Sequence, residues 1–422
     1  MQNISMIIHH IGTLVTVAGH QQPARGQDLA EVGLQTGQAI AVAEGRIAAI
    51  GPEKEILDMA SATTLLIDAQ GGLVLPGFVD PHTHVLYAGD RADEYALKLE
   101  GVPYLDILRQ GGGILSTVRH TREARPEHIK RVSKARLQTM LELGTTTAEV
   151  KTGYGLTAEH ELLHLDLIAE MNAEHPMDLV ATFMPAHAVP PEFACDRDGY
   201  MSLMLEAMLP YVQHKARYVD VFCETGVFTL DESRKILQAG QACGMQAKIH
   251  ADEMAASGGS LLAAEVGAVS ADHLLRVEED GMAAMAEAGV IGVCLPATSF
   301  NLAEGHHAPA RRMLEHQMAL ALATDSNPGS SPTENMQLVL TLACLNLRLT
   351  PAEAFVAATV NAAHAIGAAK DVGSIEVGKQ ADLLIALVPN IAYFPYHFGV
   401  NHIDTVIKAG EVVAGKRTVL QP

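Results

Sequence analysis

Tryptophan is absent from this chain, and aromatic residues make up only 4% of it. With 48% hydrophobic residues overall, that is the profile of a folded α/β protein and not of a disordered one. Basic residues are also scarce: 29 Lys and Arg stand against 49 Asp and Glu, a formal charge of −20. Such a surface excludes nucleic acid and anionic membrane as natural partners. A small anionic molecule could still bind, provided that a local cation receives it. The five cysteines (Cys195, Cys223, Cys243, Cys294 and Cys344) are scattered and contain no Cys-x-x-Cys pair. They argue against a disulfide frame or a thiolate metal site and for reduced thiols in the cytoplasm. No apolar run approaches the ~18 residues of a membrane span, and no basic stretch precedes an apolar core at the N-terminus, so neither span nor signal peptide is expected.

At 422 residues the chain exceeds what one core usually supports, so a large domain with a smaller one is expected. The two ends share a texture of short aliphatic or β-branched runs punctuated by glycine: Ser5–Val17, Ala39–Ile50, Thr63–Asp68, Ala381–Val388 and Asp404–Val413. They predict a composite small β-domain from residues 1–72 and 372–422. The middle, 73–371, alternates strand-like runs with amphipathic stretches. The strand candidates are Leu73–His84, Thr145–Thr152, Asp178–His187, Tyr218–Thr225, Met245–Ala251, Ala268–Leu274, Val290–Ala297 and Met318–Asp325. Helical stretches such as Glu127–Leu143, Ala158–Glu174 and Glu232–Cys243 carry apolar residues at three- and four-residue spacing. Strands joined by such crossovers predict a parallel sheet closed into a TIM-type (β/α)₈ barrel. A doubly wound open sheet is the alternative, disfavoured because polar residues end nearly every strand, as around a rim.

Those ends carry the chemistry. In Asp80-Pro81-His82-Thr83-His84, alternation along a strand turns both imidazoles to one side, where they could share a divalent metal. His187, Cys223-Glu224, His250, His273 and Asp325 end later strands. A lone strand-end histidine is more often a packed or solvated residue; recurrence on several strands is hard to explain by packing. Three imidazoles and a carboxylate suit Zn²⁺ or Fe²⁺ better than the all-oxygen shells of Mg²⁺ or Ca²⁺.

Other residues admit two readings. Glu253 could swing over a metal site or simply begin a helix as an N-terminal acid. Lys151 ends the second strand, whereas bridging carboxylated lysines sit on the fourth, so one metal is favoured, with Glu224 the best ligand for a second. Arg91 could be a surface charge or a carboxylate clamp. Gly111-Gly112-Gly113 lacks the Lys-Ser/Thr of a phosphate loop and reads as a flexible lid. Tyr154, between Gly153 and Gly155, is expected to lie exposed on a tight loop.

On Asp80–His84 with Ala88-Gly89-Asp90-Arg91, the Gly111–Arg119, Glu149–Gly155 and His250–Gly258 segments, Pro185-Ala186-His187 and Thr324–Pro332, the chain resembles the amidohydrolase superfamily, and within it the imidazolonepropionase family of histidine degradation. Ser326 stands where many members carry an aromatic. The resemblance implies hydrolysis of the ring amide of 4-imidazolone-5-propanoate to N-formimidoyl-L-glutamate. It implies one divalent or trivalent transition metal, zinc or iron, on His82, His84, His250 and Asp325. It further implies catalytic roles for Glu253, His273 and Asp325. Substrate contacts would come from Arg91, Tyr154, His187, Glu253, Asn327, Gly329 and Ser330. The expected partners are a small anionic substrate and a second copy of the chain in a homodimer. A nucleobase-type deaminase would use nearly the same metal set but would have less use for Arg91, and ammonia release separates the two. A scaffold that has lost its metal is a third reading, disfavoured because every expected ligand is present.

Overall fold

Apolar runs and amphipathic stretches resolve, in a computed structural model describing residues 3–303 and 305–415, into eight parallel strands in chain order. They are β1 (Phe78–Asp80), β2 (Thr145–Lys151), β3 (Asp178–Ala186), β4 (Tyr218–Cys223), β5 (Gln246–Ala251), β6 (Ser270–His273), β7 (Ile291–Cys294) and β8 (Leu320–Leu322). Each pairs in parallel with the next. The ring closes just beyond the ends of β1 and β8, where Thr83 bridges Ser326. The Asp325 amide donates to His82 O at 3.1 Å, and the His84 amide donates to Ser326 O at 2.9 Å. The bonds that close the barrel therefore also hold the backbone of His82, His84 and Asp325. This is the expected (β/α)₈ barrel.

Helices such as Pro126–Glu142, Ala158–Glu174, Leu230–Ala242 and Glu279–Ala288 cover the outside. Their starts follow local chemistry. Thr229 accepts from the Glu232 amide while the Glu232 carboxylate accepts from the Thr229 amide, which satisfies donors that a helix start leaves open.

The termini supply β-rich sheets. One has the order Arg46–Pro52, Gln38–Ala43, Met6–His9, Leu65–Asp68. The other runs Glu411–Gly415, Ile403–Lys408, Leu383–Ala386, Leu73–Pro76, Thr13–Val15, Leu34–Gln35, setting N-terminal and C-terminal strands side by side. Residues 1–2 and 416–422 of the expected β-domain lie outside the described residues.

One strand expectation is corrected. Leu73–His84 is not a single run: Leu73–Pro76 pairs antiparallel with Leu383–Ala386, and β1 begins only at Phe78. Gly77 makes the crossing, since a Cβ there would collide with the Thr146 side chain. Leu73–Pro76, placed with the barrel from sequence, thus forms part of the terminal sheet.

Candidate metal centre and active site

Nε2 of His84 lies 3.3 Å from Nε2 of His82 and 3.4 Å from Nε2 of His250. Oδ1 of Asp325 is 3.4 Å from His82 Nε2 and 3.7 Å from His84 Nε2. Donors ~2.0–2.1 Å from one tetrahedral ion stand roughly 3.3–3.4 Å apart, so these distances suit atoms that share one ion. All four side chains are buried, and burial pushes His82 and His84 well below the usual imidazole range. Both histidines are thus held neutral, the form that ligates. The four fit a divalent transition ion.

Beneath them the barrel is filled with charge. Alternation along β2, β4, β5 and β6 turns Glu149 and Lys151, Asp220, Lys248 and Asp272 inward, all fully buried. Lys151 Nζ lies 2.6 Å from Asp220, 3.0 Å from Glu149 and 3.6 Å from Asp272. Lys248 Nζ lies 2.7 Å from Glu149 and donates to Pro81 O at 2.8 Å. Burial opposes the Lys151 charge, but Asp220, Glu149 and Asp272 outweigh it and hold the ammonium above its ordinary range. That is the wrong state for carboxylation. The network also reaches the site: Asp272 Oδ2 is 2.6 Å from His82 Nδ1, and Asp220 Oδ1 is 3.2 Å from His250 Nδ1. Such bonds place the proton on Nδ1 and aim the Nε2 lone pair at the centre. His82, Glu149 and Asp272 also gather ligand-type atoms, but the ammonium groups of Lys151 and Lys248 sit among them.

Asp325 is anchored on its far side, with Thr298 Oγ1 donating to its Oδ2 at 2.6 Å. Burial pushes its carboxyl up to about 6. Across the site Glu253 Oε1 is 3.4 Å from His273 Nδ1. The bland reading of Glu253 as a helix-start acid falls to its neighbour. Asp252 accepts from the amides of Ser257, Gly258, Gly259 and Ser260 at 3.0–3.1 Å and so begins the helix Gly259–Glu265. Asp252, His273 and Asp325 all take positive φ (50°, 76° and 53°). Non-glycine residues adopt that conformation at a cost of ~1–3 kcal/mol each, a strain that gathers at functional sites.

Around this centre lie the expected substrate contacts. His187 stacks on His84 with ring centroids 4.7 Å apart, and its Nδ1 faces Gly153 O at 3.2 Å. Tyr154 is corrected: it is buried, its ring 5.3 Å from His187 and 6.1 Å from both His84 and Tyr87. Three neighbouring rings supply the packing that its glycine flanks do not suggest. Asn327 uses its amide within its own loop, accepting from the Gly329 and Ser330 amides at 2.8 Å and donating to Asp325 O at 2.7 Å. Arg91 is largely buried, its Nε donating to Glu94 Oε2 at 2.9 Å and its guanidinium lying against Gly329. Glu94 also accepts from the Gly113 amide at 3.0 Å, which ties Gly111–Gly113, read from sequence as a lid, to the start of the helix Ile114–Glu123. Sequence reasoning missed Asp220, Asp272, Thr298 and Glu94.

A (β/α)₈ barrel with three histidines and an aspartate converging at the C-terminal ends of its strands defines a metal-dependent hydrolase of the amidohydrolase type. The Amidohydrolase family profile matches residues 73–413. The chain is 49% identical to the imidazolonepropionase of Alkaliphilus oremlandii, across 99% of this chain and all of that one. It is 48% identical to the imidazolonepropionase of Geobacillus kaustophilus, across 97% of each. The chain belongs to the amidohydrolase family and, on full-length likeness, groups with the imidazolonepropionases within it. Among solved structures, guanine deaminase of E. coli matches with a TM-score of 0.75 at 16% identity, covering 99% of this chain and 100% of that one. A zinc-bound adenosine deaminase from Xanthomonas campestris matches with a TM-score of 0.74 at 20% identity, covering 99% and 94%. At those identities the likeness is one of fold.

Proposed function

We propose that this chain hydrolyses the ring amide C–N bond of 4-imidazolone-5-propanoate to give N-formimidoyl-L-glutamate. The observation that carries the reading is full-length likeness at 45–49% to enzymes named imidazolonepropionase. The placement of Arg91 against the loop that follows Asp325 supports it. The deaminases share only the fold at 16–20% identity, so that reading has no comparable support.

His82, His84, His250 and Asp325 would hold the metal, which supplies Lewis-acid activation of water and polarisation of the ring carbonyl. Asp325, kept in place by Thr298, would orient the attacking water and accept its proton. His273 would donate to the carbonyl oxygen as negative charge develops there. Glu253 would carry a proton to the departing ring nitrogen. Arg91 would pair with the propanoate carboxylate, with Tyr154, His187, Asn327, Gly329 and Ser330 lining the remainder. The finer parts of the proposal are zinc or iron as the metal, a homodimer and a cytoplasmic location. Among the described residues, no helix is long and apolar enough to cross a membrane.

The test is ring opening assayed with the unstable imidazolone generated in situ. Formation of N-formimidoyl-L-glutamate without ammonia is expected. Failure to open that ring, with ammonia released from a purine or pyrimidine, would replace this reading with deamination.

A further inference from the structure

Glu224 follows β4, is buried, and was the best sequence candidate to bind a second metal. Its carboxylate is engaged otherwise. Oε1 accepts from the Thr225 amide at 2.7 Å, and Oε2 accepts from the Met254 amide at 2.9 Å. Met254 immediately follows Glu253. On the other side of Glu253, Asp252 is pinned by the four amides described above and by its own carbonyl, which accepts from the Arg276 amide at 2.8 Å. Glu253 is therefore presented from a short stretch fixed at both ends, one end by Asp252 and the other by a carboxylate from the neighbouring strand.

We propose that Glu224 is a positioning residue for Glu253, and that its carboxylate holds the Met254 backbone so that Glu253 meets His273 and the reacting ring. This inference rests on the reading of Glu253 as the proton carrier. A buried carboxylate suits the task because it can accept from two amides on two different loops at once, and charge-assisted bonds of this kind are the strong ones. Glutamine in its place would keep one accepting oxygen but set an NH₂ group against the second amide. Alanine would release both. Displacement of a catalytic group by about 1 Å can cost on the order of 100-fold in rate.

The experiment compares Glu224→Ala, Glu224→Gln, Glu253→Ala and the double variant Glu224→Ala/Glu253→Ala by kcat, KM and metal content. Glu224→Ala should lower kcat by roughly 10- to 100-fold and leave metal content at the wild-type level. KM should stay within about threefold, because an interaction that acts in the transition state moves kcat. Glu224→Gln should lose less than the alanine variant. In the Glu253→Ala background, Glu224→Ala should cost less than about twofold more, because a residue that acts through another has nothing left to position. The proposal is overturned if Glu224→Ala turns over normally while Glu253→Ala does not. It is also overturned if Glu224→Ala loses metal, or if it imposes its full loss in the Glu253→Ala background. Near-normal turnover in Glu253→Ala would instead sink the reading of Glu253 itself, and the positioning role with it.

Discussion

Asp272 Oδ2 lies 2.6 Å from His82 Nδ1, with both side chains removed from solvent. This bond fixes the imidazole tautomer and orients the ring, so that Nε2 faces the corresponding atom of His84. Asp272→Asn keeps the shape and removes the charge. Metal affinity should fall by roughly 10- to 100-fold, the usual consequence of altering a partner of a metal-binding histidine. Competition against a graded chelator measures it; unchanged affinity would make Asp272 a purely structural residue of the barrel interior.

Asp272 also shows where the sequence was legible and where it was not. The barrel could be read because buried parallel strands leave apolar runs between amphipathic helices, and the rim could be read because histidines recur at strand ends. The charged interior left a fainter mark: Glu149-Val150-Lys151, Val219-Asp220-Val221, Lys248-Ile249-His250 and Ala271-Asp272 place ionisable groups at alternate or isolated positions inside otherwise buried runs. A two-residue period in charge could have identified these as one face. Which acid meets which lysine could not be read, because the partners come from different strands and depend on barrel register. Tyr154 was misplaced for the same reason: its glycine neighbours are local, whereas Tyr87 and His187 reach it through the fold.

Lys151 is surrounded by Asp220, Glu149 and Asp272, and those carboxylates hold its charge. Lys151→Met should therefore destabilise the fold by ~3–5 kcal/mol, the range for breaking a buried ion pair by removing one partner. The denaturant midpoint at constant slope reports it. Wild-type protein should contain about one transition metal per chain, as a single site of four donors implies. Two metals retained through dialysis and needed for activity would contradict the single site and bring in Glu224 as a ligand.

His164 lies on the covered face of the helix Ala158–Glu174, fully buried, and burial pushes its imidazole down to about 3. The unfolded chain, with its histidine near 6.5, binds the proton more readily than the folded one. The stability tied to neutral His164 is thus fully present above pH 6.5 and is lost as pH falls toward 3. The loss amounts to about 1.4 kcal/mol for each pH unit in that window. His164→Leu should lessen the decline in urea midpoint between pH 7 and pH 5.5. An identical decline in the variant would show that other groups set the acid limb.

Arg91 and Gly329 give the sharpest test of the substrate. The protein's net charge of −20 repels a carboxylate on average, so attraction must be local. Arg91→Gln should weaken apparent substrate binding by roughly 2–4 kcal/mol, the range for truncating one partner of a desolvated charge pair. Arg91→Lys should restore only part of it, since lysine lacks the paired donors of a guanidinium. Gly329 adds a check that leaves the charge in place. Its φ is not in the left-handed region, so alanine there carries no backbone strain, yet the new methyl would occupy the space of Arg91 Nη1. Gly329→Ala should therefore raise KM by displacing the guanidinium, with metal content unchanged, and should add little in the Arg91→Gln background. An imidazolone without the propanoate arm decides what the cation is for. If Arg91→Gln and Gly329→Ala impair the truncated ring as much as the full substrate, Arg91 does not bind the carboxylate, and the local support for this substrate is gone.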